Sequence, residues 1–358
     1  MPRHLTKRIG LGVLLLAVSM LVSVPADAVP VFVSLCAKAG TSTMLNGPPA
    51  VTIPVWGFVQ RTPSTALNQL TPPTVALCNA APAAQLPGTA ISRGVAPGFP
   101  PTIRTVTHGD AVTIYVRNQL TVPISLLIPG QEVIPAAAGS GTFTREVPPG
   151  QTGAYVIPSV KMGTYIYESG TDTARQVAMG LHGAFIVASG VAGRAYSGAA
   201  TSFTTQATLV LSEVDPNLHA NPLTFNMQNY NPTYWLINGK AHPNTATIPT
   251  VSGGLGREVL LRYVNPSFTH HAMALLGLHQ RVIARNAFEQ PTVVRAVSET
   301  IPAGTTADML TTIPDIVQAP LGTRFPLYNR NMRLTNASTN TPGGMQTRLC
   351  VGMASLCP

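Results

Sequence analysis

The 358-residue chain is 45% hydrophobic and only 10% charged, with 33 prolines, 31 glycines and a formal net charge of +9. Its lysines and arginines neither cluster nor interleave with aromatics, which argues against a nucleic-acid partner. The length exceeds one ordinary core, and only one long apolar run occurs, at the N-terminus. The expectation is two domains and no transmembrane segment after that run is removed.

Arg3, Lys7 and Arg8 precede an apolar stretch from Leu11 to Val24 and the small-x-small triplet Ala26-Asp-Ala28. This is the pattern of a secretory signal peptide over residues 1–28, and the stretch falls short of the ~20 apolar residues of a membrane span. Without Arg3, Lys7, Arg8 and Asp27 the mature chain keeps 19 basic and 12 acidic residues. A secreted or periplasmic protein is expected, and export permits disulfides. Cys36, Cys78, Cys350 and Cys357 allow three connectivities. Proximity in sequence favours Cys36 with Cys78 and Cys350 with Cys357.

Strand signals dominate the rest. Val112-Thr-Ile-Tyr-Val116, Tyr165-Ile-Tyr167, Ala184-Phe-Ile-Val187, Ala207-Thr-Leu-Val-Leu211 and Glu258-Val-Leu-Leu-Arg-Tyr-Val264 are short, β-branched or aromatic, and bounded by turn residues. The chain also repeats itself. Val112–Asn118 corresponds to Val259–Asn265, Pro149-Gly-Gln-Thr to Ala303-Gly-Thr-Thr, Gly163-Thr-Tyr to Gly322-Thr-Arg, and Gly183–Val187 to Thr347–Val351. Two copies of one β-sandwich are predicted, over 29–190 and 207–358, joined by a Gly/Ala/Ser-rich linker at 191–206.

The run from Gly163 to Val187 resembles a multicopper oxidase motif of the laccase and copper nitrite reductase kind. There, a loop between a Gly-Thr-aromatic strand and a Gly-Ala-hydrophobic strand carries copper ligands. Aligned on Gly163-Thr164-Tyr165 and Gly183-Ala184, a laccase-like Tyr-His-Ser-His puts its histidines at Glu168 and Gly170. A nitrite-reductase-like ligand set falls on Glu168, Ser169, Gln176 and Leu181. None of these positions supplies the thiolate or imidazole that a blue-copper site requires. Upstream, Gly109–Asn118 and Val122–Gln131 match the segment that bears the family's first His-x-His, with Leu126 and Ile128 or their neighbours in its place. Tyr234–Lys240, Leu260–Asn265 and the Gly277–Arg285 turn resemble parts of a second domain. The resemblance implies an all-β chain of two tandem cupredoxin-like Greek-key β-sandwiches, and two-domain relatives commonly form homo-oligomers.

The mature chain's seven histidines are too few for the family's full copper complement. The densest group is His270, His271 and His279, with Met273. Adjacent strand residues point to opposite faces, so His270 and His271 do not chelate one ion on a regular strand, while Met273 shares a face with His271. Glu168 is expected to pair with Arg175 or with strand-end amides. The reading is an exported, copper-deficient member of this fold with no bound cofactor, serving as a binding or structural component for an unknown protein or surface partner. Its alternative is a copper-binding oxidoreductase or carrier built around His270 and His271.

Overall fold

The computed structural model describes residues 28–45, 51–60, 69–98, 100–136, 139–250, 257–331, 344–352 and 354–357. The predicted leader, except for Ala28, lies outside the described residues. Strands β1 (Pro30–Leu45), β2 (Val51–Gln60), β3 (Arg93–Ala96), β4 (Thr102–Thr105), β5 (Ala111–Asn118), β6 (Ile134–Pro135), β7 (Thr152–Ile157), β8 (Gly163–Glu168) and β9 (His182–Val187) build the first sandwich, with helices α1 (Val75–Ala80) and α2 (Thr173–Met179). The second begins with β10 (Thr205–Val214) and helix α3 (Pro216–Ala220). It continues through β11 (Tyr234–Ile237), β12 (Lys240–Ala241), β13 (Ile248–Thr250), β14 (Arg257–Asn265), β15 (His271–Leu275), β16 (Gln280–Arg285), β17 (Phe288–Ala296), β18 (Ser298–Ile301), β19 (Thr305–Ile313), β20 (Arg324–Asn329) and β21 (Gln346–Val351).

One layer of the first sandwich runs β4-β3-β1-β5-β7-β6, with β2 also on β1; β8 and β9 form the other layer. In β5, Val112, Ile114 and Val116 alternate inward as the period of two demands. They meet Val31, Val33 and Leu35 of β1 and Tyr165, Tyr167 and Phe185 of the opposite layer in one apolar core. The second sandwich faces a seven-stranded sheet, β12-β11-β10-β14-β19-β16-β17, against a five-stranded one, β13-β21-β20-β15-β18. At the outer edge of the former, β17 is exposed along most of its length, and its partner β16 shifts register between Val282 and Ala284.

The internal repeat holds at the level of single hydrogen bonds. Asn118 ends β5, and its amide donates to the carbonyls of Val122 and Val147 while its carbonyl accepts from Leu120 N–H. Asn265 ends β14 in the same way, donating to Thr269 and Ile301 and accepting from Ser267 N–H. Gly150 and Gly304 both take positive φ in the matching turns and donate to the carbonyls of Asn118 and Asn265. Both asparagines are fully buried, so each corner satisfies backbone groups that have no access to water.

Both favoured disulfides are present, with Cα–Cα separations of 5.6 Å for Cys36–Cys78 and 5.9 Å for Cys350–Cys357. The first ties α1 to β1, and Lys38 Nζ caps the helix end through the carbonyls of Cys78 (2.8 Å) and Ala81 (3.0 Å).

Strands β10 and β14 are buried on both faces. One face fills the second core; the other meets the first sandwich, where Val210 and Val264 pack on Ile166 and Ala184. Beside that contact, Asp308 accepts from Thr164 Oγ1 at 2.7 Å, Tyr196 OH at 2.6 Å and Arg262 Nη1 at 3.1 Å. Residues 191–206 are therefore more than a tether. Ala195 and Tyr196 are buried against Leu260 and Leu310, and β10 begins at Thr205, inside the span predicted as linker.

Arg262 and Asp308 form an almost fully buried ion pair, 2% and 1% exposed. Removing the carboxylate strands a buried guanidinium, so Asp308→Ala is expected to lower unfolding stability by about 3–5 kcal/mol. Tyr196→Phe, which loses one hydrogen bond, should cost about 1 kcal/mol. Urea denaturation of both variants checks the ranking.

Candidate functional site

The end of β8 and the segment that follows it carry the positions Glu168, Ser169, Gly170, Gln176 and Leu181 at which the family's ligands were expected to align. Glu168 forms a two-way backbone bridge with Leu127. Ser169 and Gly170 follow, Asp172 takes φ 40°, and α2 then returns the chain to Gly180 and Leu181. At Gly180, φ is 113° and an added Cβ would lie 2.4 Å from the carbonyl oxygen of Trp56, so the turn back to β9 admits only glycine.

The loop brings Ser169, Gly170 and Gln176 together. Ser169 Oγ donates to Gln176 Oε1 at 2.6 Å, and Gln176 Nε2 donates to Pro123 O at 2.8 Å. Ser125 closes the network. Its N–H reaches Ser169 Oγ at 3.2 Å, while its Oγ receives Gly170 N–H at 2.9 Å and Thr171 Oγ1 at 3.1 Å. All of these side chains are buried, and the set is internally paired as buried polar groups must be. Leu181 is fully buried in the first core.

Leu127 faces this loop. A Cβ built on Gly170 would lie 2.7 Å from Leu127 Cδ1 and 2.8 Å from its Cγ. Leu126 and Ile128 are buried in the apolar core, and their neighbour Leu127 fills the space beside Gly170. Of the two partners expected for Glu168, Arg175 or strand-end amides, Arg175 is engaged elsewhere. Arg175 pairs with Asp172 at 2.8 Å and donates to the carbonyls of Pro222 and Phe225.

These residues do not fit copper. The positions offer a hydroxyl, an amide and a carboxylate where thiolate and imidazole are needed, and hydrocarbon occupies the space beside Gly170.

The second group of candidates is dispersed. His271 is fully buried, with Nε2 2.9 Å from Ser267 Oγ and Nδ1 2.9 Å from Asn329 Nδ2. The amide must donate to Nδ1, so the ring proton sits on Nε2 and points at Ser267. Met273 lies beside it in the second core, whereas His270 and His279 are exposed. Among the described residues, no group of three or more His, Cys, Asp or Glu is placed to hold a metal ion.

One feature had no sequence signal. His182 donates from Nδ1 to Val177 O at 2.9 Å. Its Nε2 and the hydroxyl of Ser212 have no protein partner and line a cavity of about 10 Å³ between the sandwiches, room for one water molecule.

Residues 86–191 match the family model described as multicopper oxidase. The blue copper oxidase of Nitrosomonas europaea superposes with a TM-score of 0.68 at 16% identity, covering 89% of this chain and 85% of that one. The fold is that of the multicopper oxidases. The multicopper oxidase mgLAC gives 0.67 at 16% identity, with 89% and 85% covered. The copper nitrite reductase of Nitrosomonas europaea gives 0.61 at 18%, with 90% and 94% covered. No curated protein sequence matches the chain. The all-β, cupredoxin-like sandwich architecture read from the motif is thus the architecture observed.

Glu168 and His182 stand opposite each other on the β8–β9 ladder. Burial pushes the Glu168 carboxyl from 4.5 up to about 7. Burial also takes the His182 imidazole from 6.5 down to about 4, against the opposing effect of its bond to Val177 O. Glu168 keeps a proton in the folded state that the unfolded chain releases, so its contribution to stability is lost as pH rises from 4.5 through 7. For His182 the unfolded chain takes up a proton that the folded state refuses, so stability is lost as pH falls from 6.5 towards 4. The two slopes oppose one another between pH 4.5 and 6.5.

Relative to the unaltered protein, Glu168→Gln should therefore gain on the order of 3 kcal/mol between pH 4.5 and 7. Urea titrations at several pH values measure this, and parallel profiles would refute the assignment. Gly170→Ala should cost about 1–3 kcal/mol by crowding Leu127. Combined with Leu127→Ala, the loss should be smaller than the sum of the two single losses.

Proposed function

We propose that this chain is an exported, copper-deficient relative of the multicopper oxidases that serves as a binding or structural component of the envelope or exterior. The observation that carries the reading is the closed hydrogen-bond set of Ser125, Ser169, Thr171 and Gln176, with Leu127 against Gly170. Such a loop is held by protein–protein hydrogen bonds and packing, so the fold there has no need of a metal. Two disulfides support export to an oxidising compartment, and no helix among the described residues is long and apolar enough to cross a membrane.

Copper handling at His270, His271, His279 and Met273 is the weaker reading. Binding there would require His271 to give up its contacts with Ser267 or Asn329, at the cost of leaving a buried polar group unpaired.

Copper content by elemental mass spectrometry, after copper loading and dialysis of the oxidised protein, separates the two. Far less than one copper per chain and no intense blue absorption are expected. One retained ion per chain with a blue band would overturn the proposal. Retention abolished by His271→Ala would establish the alternative.

A further inference from the structure

We infer that the groove between the two sandwiches, on the side of the connector, is a binding site for a small organic anion. The groove has a volume of about 340 Å³ and is lined by both sandwiches and by residues of the connecting segment. This is the size range of small-molecule sites. Three guanidinium side chains line it, Arg93 from β3, Arg194 from the connector and Arg262 from β14, and none of the lining residues is acidic. Asp308 neutralises Arg262, so the net positive charge at the groove comes from Arg93 and Arg194, in a chain with only 10% charged residues.

The three cations differ in what they offer. Arg262 is committed to Asp308, Thr164 and Gln206, so its role is to hold the inner wall in place. The Arg194 side chain donates from Nη1 to Ser197 O at 3.3 Å. Arg93 is exposed, and neither it nor Arg194 has an acidic partner among the described residues. Guanidinium groups match the oxygens of carboxylates and phosphates through parallel N–H donors. The rest of the wall is mixed, with Ser92, Thr105 and Gln206 polar and an apolar patch that includes Ile186 of β9 and Phe203 of the connector. The fitting ligand therefore has an oxyanion head and an apolar body, the head against Arg93 and Arg194 and the body on Phe203 and Ile186.

This inference rests on the reading of the chain as a binding scaffold and gives that scaffold a ligand class. Titration calorimetry of the intact oxidised protein with phenyl phosphate is expected to show saturable, salt-sensitive binding that is tighter than that of inorganic phosphate. Arg93→Ala and Arg194→Ala should each weaken it by about tenfold, the loss of one charge-assisted contact. Arg93→Ala removes an exposed side chain and leaves the buried Arg262 network intact, so its folding is secure. No saturable binding, or binding unchanged in both variants, would overturn the site. Equal binding of inorganic phosphate would overturn the role of the apolar wall. The copper measurement decides the scaffold reading separately, because a copper-free protein that ignores phenyl phosphate removes only the groove.

Discussion

The Asp308 carboxylate is the point on which the arrangement of the two sandwiches depends. It is nearly inaccessible to water, yet it accepts hydrogen bonds from β8, from the connector and from β14. A buried carboxylate tolerates no displacement of its donors, because each lost bond leaves charge without solvent or partner. The apolar contacts around Ile166 and Val264 favour closeness without fixing angle. Directional bonds to three separate segments fix the angle. The groove beside the connector and the small cavity at His182 both inherit their shapes from that fixed geometry.

The loop after β8 is held by hydrogen bonds and packing among its own residues and Ser125. A copper ion holds its loop by a few strong bonds to soft ligands. Ser125, Ser169, Thr171 and Gln176 hold theirs by several weaker ones, each satisfying a group that burial would otherwise penalise. Hydrocarbon from Leu127 completes the packing. The loop needs a particular shape more than it needs a particular chemistry, which is why sequence reasoning aligned it by its glycines and aromatics.

Local patterns were the legible part of this sequence. The period of two in Val112–Asn118, the repeat of its terminal asparagine at Asn265 and the proximity of the cysteines each involve neighbours or near-copies, and each holds in the structure. What escaped depends on residues far apart in the chain. Thr164 and Asp308 are 144 positions apart, and nothing in either segment names the other. Asp308 did leave a trace, as the one charged residue of β19, whereas Arg262 shares β14 with Arg257 and Glu258. Leu126, Leu127 and Ile128 left none, because three consecutive apolar residues carry no alternation from which to read the face each one occupies. Charge alone leaves Arg175 open to either Glu168 or Asp172, and the structure pairs it with Asp172, three residues before it.

The outer strand β17 bears on how such a chain behaves at high concentration. An exposed edge with Val293 and Val294 on it offers a template for pairing with another molecule, and unchecked pairing of that kind leads to fibrous aggregates. Pro291 sits within the strand and lacks an amide hydrogen, so a visiting strand finds a missing rung. The register shift in β16 beside it adds local twist. Together they blunt the one long edge of the second sandwich's larger sheet that lies open to solvent, and so guard a largely uncharged surface against self-association.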